Sequence, residues 1–256
     1  MFEKAVSIIS YSGELFRFMM EIITGSVNIR YNEVIRESVF IIRLSRGFTA
    51  FTGCIVGAII TLQFAANSAE FNILSYLGGL SASGIIRETG PLMIAFMMVG
   101  RIGAYTTAEL AAMSTTEQID ALEALGVDTT RSIVIPRFMG ILHSGLILLV
   151  IALFFSLLGS YVMAIAYAGL TSAEFFRSIP VFFRISTLIM CLVKCFMFSL
   201  AIAVVSTYES RHAGEGAEGA GRAVVKSSVI SMVAIIILDV LITLIFDLIM
   251  KITGSW

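Results

Sequence analysis

The feature that most restricts this chain is a series of five apolar stretches, at about 47–66, 91–113, 138–168, 185–208 and 224–250. A transmembrane helix takes about 20 apolar residues, so each stretch can cross a bilayer, and together they fill most of the 256 residues. No room remains for a sizeable soluble domain. Charged residues make up only 14% of the chain, against roughly 25% in ordinary soluble domains, which argues against a soluble enzyme. Seventeen basic and 18 acidic side chains leave a net charge of −1. That balance lacks the basic footprint of a nucleic-acid binder, so the partners expected are lipid or protein.

Before the first span, Glu3, Ser7, Ser10, Glu14, Arg17 and Glu21 recur every three or four residues on one helical stripe. This predicts an amphipathic helix lying in the membrane interface or packed on the protein's own bundle. No small-residue cleavage site follows it, so the mature chain is expected to begin at or near Met1. Arg30, Arg36, Arg43 and Arg46 crowd the approach to the first span and place this flank, and the N-terminus, in the cytoplasm. Five crossings then put Trp256 on the outer face. Gly53 and Gly57, four apart, allow a second helix to come close. Segment 67–90 reads equally as a re-entrant piece or a surface helix, 171–184 as a polar connection, and 209–226 as a Gly/Ala-rich loop.

The longest polar interval between spans, 114–137, contains Ile119, Leu122 and Leu125 at spacing three, with Gly126 to end a helix and Thr115 or Thr116 to cap it. Such a helix serves either as a knob gripped by another subunit or as a solvated connector. Gly214, Gly216 and Gly219 spell G-x-G-x-x-G, but no strand precedes them and Glu215 and Glu218 would face a pyrophosphate, so nucleotide binding is not expected there. No phosphate-cradling G-x-x-x-x-G-K-[ST] occurs. His143 and His212 have no nucleophile and acid beside them, and Cys54, Cys191 and Cys195 lie in apolar segments without metal-ligand company. No catalytic or metal site is expected. Arg101, Glu109, Lys194, Asp239 and Asp247 lie inside spans, where a charge costs about 2.5–3.5 kcal/mol on insertion scales and needs a partner or a wet cavity.

The stretch R-E-T-G-P-L at 87–92, V-G-R-I-G-A at 99–104, A-E-L at 108–110, T-E-Q-I-D-A-L-E-A-L-G-V-D at 116–128, V-I-P-R at 134–137 and G-A-E-G-A-G-R-A-V at 216–224 closely resemble the MlaE-type permeases, membrane subunits of Mce-associated phospholipid ABC transporters. The resemblance covers most of the chain from about residue 47. It implies a homodimeric permease in the inner membrane of a bacterial cell, moving phospholipid between inner and outer membranes. The implied partners are a cytoplasmic ATPase carrying ATP and Mg, a STAS-domain protein and a periplasmic Mce-domain ring, with no cofactor on this chain. The expected fold is an all-α integral membrane protein: five transmembrane helices, an N-terminal interfacial helix within 1–46, and a permease domain over 47–256 with a short coupling helix near 115–127.

By the resemblance, Glu117, Gln118, Asp120, Ala121, Glu123, Ala124, Leu125 and Gly126 form the ATPase-coupling element, and the first two spans with segment 69–90 line a lipid cavity at the dimer interface. A phospholipid site should be mostly apolar with few polar groups. Leu62, Phe64, Leu77, Leu80, Met93, Phe96 and Met97 are the expected wall, and Gln63, Tyr76 and Arg101 the expected headgroup contacts. The readings from other classes are a secondary lipid transporter, an intramembrane lipid-modifying enzyme and a structural anchor. The enzyme lacks a convergent nucleophile and base.

Overall fold

The computed structural model describes residues 2–25, 31–70 and 73–252. Arg30 and Trp256 lie outside the described residues, as do the side chains of Glu3 and Ser7. The described residues are almost wholly helical: α1 (Phe2–Gly25), α2 (Tyr31–Glu70), α3 (Leu74–Thr115), α4 (Gln118–Ala124), α5 (Thr130–Ala166), α6 (Ser172–Phe182), α7 (Ile185–Arg211) and α8 (Gly216–Ile252). Five of them, α2, α3, α5, α7 and α8, are long and apolar enough to cross a membrane. The protein is an all-α integral membrane protein.

The helices are longer than their apolar stretches. α2 begins at Tyr31, not near residue 47, because Glu33, Arg36, Glu37 and Arg43 are adequate helix residues and neither glycine nor proline interrupts them before Gly47. Segment 67–90 divides between the end of α2, which runs to Glu70, and the first half of α3, which starts at Leu74 and is continuous with the second span. Pro91 does not break α3, because a π turn at Ile85–Thr89 precedes it and the Gly90 N–H reaches back five residues to the Ile85 carbonyl. The same device recurs before Pro136, where Ile135 bonds to Thr130. A further π turn at Val99–Gly103 carries Arg101. The expected loop 209–226 is also mostly helix, divided between the ends of α7 and α8.

The chain divides into two compact units. In the first (1–41, 98–144 and 199–234), α1 buries Phe18 and Ile22 while Phe16 and Met20 stay exposed. Thr107 donates to the Ser206 carbonyl (3.3 Å) and the Ser227 hydroxyl (3.1 Å), tying α3 to α7 and α8. Arg137 holds Glu109 through two nitrogens, at 2.9 and 3.2 Å.

In the second unit (42–97, 145–198 and 235–256), α2 and α5 meet backbone to backbone. A Cβ on Gly53 would lie 2.9 Å from the Ala152 carbonyl oxygen, and one on Gly57 or Gly159 would run into the backbone of Ser156 or Cys54. Small residues permit this approach, and the Thr61 hydroxyl closes it with a 2.7 Å bond to Ser160. A core of Ala65, Leu77, Ala164, Leu170 and Phe175 seats α6 against α2, α3 and α5. The Gly79 N–H donates to the Ser178 hydroxyl at 2.9 Å.

Candidate functional site

The short helix α4 is built to stand clear of the bundle. Thr115 and Thr116 do not cap it: their hydroxyls bond back to the Ala112 carbonyl at 3.2 and 2.7 Å, terminating α3. Threonine hydroxyls compete in this way for the carbonyls of a preceding turn. The chain therefore reverses at Glu117, the sole non-glycine residue with positive φ (59°) among those described, which occupies the N-cap without a side-chain bond. At the other end Gly126 adopts φ +78°, and the Gly126 and Val127 amides donate to the Glu123 and Leu122 carbonyls at 2.9 and 3.0 Å. That is the glycine-terminated stop expected of a short helix. All eight coupling candidates are exposed, and Leu125 is 80% exposed. One thread leads back to the bundle: the Thr129 hydroxyl donates to Glu123 at 2.6 Å.

The expected lipid wall separates into kinds. Gln63, Tyr76 and Phe96 are exposed, Leu62, Phe64, Leu80 and Met93 half-buried, and Leu77 and Met97 buried. Leu77 belongs to the core that seats α6, and the Met97 sulfur accepts a bond from Thr49 of α2. Phe64 lies against Gly84, and Tyr76 meets Phe182 edge to face with ring centroids 6.1 Å apart. Arg101, on its π turn, is half-buried in the first unit.

Glu109, Lys194, Asp239 and Asp247 each form ion pairs. The Lys194 ammonium is fully buried in α7 between Glu88 of α3 and Asp239 of α8, 2.7 Å from the latter. Arg87 grips both oxygens of Asp247, at 2.6 and 2.8 Å, and the Thr243 hydroxyl donates to Glu88 at 3.4 Å. Beside the Arg87–Asp247 pair lies a polar cavity of about 160 Å³, bordered also by Ser83, Arg184 and Thr187. Sequence reading identified Lys194 and the two aspartates as needing partners but supplied no partner for any of them.

Sequence reading also missed two features. α6 fills the expected polar connection and starts with a complete capping box, in which the Glu174 carboxylate accepts from the Thr171 N–H (2.8 Å) and the Glu174 N–H donates to the Thr171 hydroxyl (3.3 Å). These bonds hold the Glu174 carboxyl below its ordinary range. The T-S-A-E string carried that signal. The other is a cluster where α1 meets the end of α7. Tyr11 and Lys226 both reach the buried Glu209 carboxylate, at 2.5 and 3.0 Å, and Tyr208 donates to Glu14 at 2.6 Å. Burial and Glu209 raise the Tyr11 phenol far above the ordinary tyrosine range.

Among the described residues there is no group of His, Cys, Asp and Glu able to hold a metal ion. Comparison with known proteins gives a consistent picture. The chain is 32% identical over 213 residues to a "Probable ABC transporter permease protein" of Rickettsia conorii, covering 83% of this chain and 82% of that protein. It is 27% identical over 246 residues to a counterpart of the same description in Rickettsia bellii, covering 95% of each. A Synechocystis protein described in the same words is 28% identical over 244 residues, covering 92% of this chain and 88% of its own length. The family described as Permease MlaE matches residues 34–245, which take in α3 to α7 whole and most of α2 and α8. With five spanning helices, a knob between the second and third, and this match along most of its length, the chain belongs to the MlaE permease family.

Proposed function

We propose that this chain is the membrane subunit of an ABC transporter that moves phospholipid between the inner and outer membranes, powered by ATP hydrolysis on a separate cytoplasmic subunit. The observation that carries the reading is α4: a short helix with no buried residue, its coupling candidates exposed, interposed between two spans. Its T-E-Q-I-D-A-L-E-A-L-G sequence is the most specific part of the family resemblance, and the curated relatives carry the description of ABC transporter permeases. In this reading α4 seats in a groove of the ATPase, which holds ATP and Mg, and two copies of the chain face each other across a lipid cavity. The exposed members of the wall, Gln63, Tyr76 and Phe96, and the half-buried Leu62, Phe64, Leu80 and Met93 meet the lipid, and Arg101 is assigned to its headgroup. A STAS-domain protein and a periplasmic Mce-domain ring complete the assembly. The N-terminus and α4 face the cytoplasm, the C-terminus faces the periplasm, and residues 1–46 and 47–256 act as anchor and permease.

The test is purification of the chain from its native cell in mild detergent, with identification of co-purifying proteins and lipids by mass spectrometry. Recovery of a nucleotide-binding subunit, an Mce-domain protein and phospholipid is expected. Recovery of the chain without any ATPase, under gentler extraction as well, overturns the reading.

A further inference from the structure

We infer that Arg211 is a positioning residue that couples the α4 knob to the N-terminal helix and to the ends of α7 and α8, so that this junction moves as one block when the knob is displaced. The inference rests on the reading of α4 as the ATPase contact and assigns what lies behind it.

Arg211 is the last residue of α7, where a cation is favoured by the helix dipole. Its guanidinium donates to the Thr130 hydroxyl at 2.5 Å and lies 5.5 Å from the Phe18 ring centre of α1, within the range of a cation–π contact. Thr130 is the first residue of the π turn that opens α5. Its neighbour Thr129, 3% exposed, donates to Glu123 on α4. Two adjacent threonines therefore have different partners, one on the knob and one on α7.

Two residues before Arg211, the Glu209 carboxylate, 2% exposed, takes one bond from Tyr11 of α1 and one from Lys226 of α8. Lys226 also stacks 5.4 Å over the Tyr11 ring. Polar contacts from α1, α5 and α8 thus converge on the last turn of α7, and from that turn the Arg211 side chain reaches Thr130, next to the residue that bonds the knob. An arginine suits the task because its planar fork can donate in one direction while its face stays on an aromatic ring. The backbone joins α4 to α3 and to α5; Arg211 adds a side-chain tie from the start of α5 to α7 and α1.

The experiment uses the purified complex with its ATPase in proteoliposomes. It measures ATP hydrolysis and movement of NBD-labelled phosphatidylethanolamine for Arg211→Lys, Arg211→Gln, Thr130→Val and the Arg211→Gln/Thr130→Val pair. The expected result is near-normal hydrolysis with about a tenfold fall in lipid moved per ATP for each single variant other than Arg211→Lys, the order of one charge-assisted bond. The pair is expected to be no worse than either single change, and Arg211→Lys to recover part of the loss. Unchanged lipid moved per ATP, or additive losses in the pair, overturns the inference. Glu123→Lys is measured alongside. If it uncouples hydrolysis while the Arg211 variants do not, the relay fails and the knob reading stands. If it too leaves coupling intact, the knob reading falls and the relay with it.

Discussion

Lys194 shows how a charge is kept inside a membrane span. Its ammonium is wholly withdrawn from the surface and sits between two carboxylates from different helices, Asp239 15% and Glu88 36% exposed. Removing one partner of a fully buried set costs about 3–5 kcal/mol, and the partial exposure of Glu88 places this set below that range. Lys194→Met, which keeps much of the stem volume, is therefore expected to lower the thermal unfolding midpoint in detergent markedly. Lys194→Met combined with Glu88→Gln and Asp239→Asn should recover much of the loss, and a triple variant no more stable than the single one would contradict this account. Gly57 gives the opposite lesson about a small residue. In an exposed helix, replacing Gly with Ala gains up to about 1 kcal/mol. Here the new methyl would meet the Ser156 backbone, which cannot rotate away, so Gly57→Ala is expected to destabilise by about 1–3 kcal/mol, read by the same melting assay. A neutral or stabilising result would show that α2 and α5 can separate without loss.

At the scale of elements, α6 depends on its first turn. The capping box satisfies N–H groups that would otherwise be orphaned, and Thr171→Ala should weaken the helix by about 0.5–2 kcal/mol. The lowered Glu174 pKa fixes the sign of the pH effect: the contribution is fully present above the ordinary glutamate range, about 4.3 in an unfolded chain, and is lost as pH falls through the lower folded value. Hydrogen-exchange protection of the first α6 amides should fall selectively under acid in the native protein, and Glu174→Gln should abolish that selectivity. The elements also show where sequence was legible. Five spans, the small-residue contact at Gly53 and Gly57, and the α4 interval followed from composition and spacing. The helix ends did not, because polar residues such as Arg36 and Glu209 continue a helix beyond its apolar part. Segment 67–90 stayed undecided because Pro91 argues for a break, and only a π turn, which leaves no mark in residue periodicity, lets the helix pass. The exposure of the α4 strip was legible in its polar residues. That Leu77 and Met97 pack inward was not, since they share the apolar character of their exposed neighbours.

For the whole molecule, one span separates α4 from α6, so their exposed residues should be reached from opposite sides of the bilayer. Single cysteines at Ala124 and Ala173, in a variant with Cys54, Cys191 and Cys195 replaced by serine, should react with a membrane-impermeant maleimide from opposite faces of sealed vesicles. Labelling of both from the same side would refute the five-span arrangement. The last span has a further property. Over 235–252 its outward residues include Ile236, Val240, Leu244 and Leu248, each more than half exposed. Its inward row meets the protein through Asp239, Thr243 and Asp247, set four residues apart and joined to Lys194, Glu88 and Arg87 respectively. Such a helix is seated like a key, its depth and rotation read by three polar teeth and its shaft left blank. Apolar residues on the shaft can be exchanged freely, whereas a slip of one position would disengage all three teeth together. Insertions or deletions in this segment should therefore be far more damaging than any number of conservative replacements on its outer face.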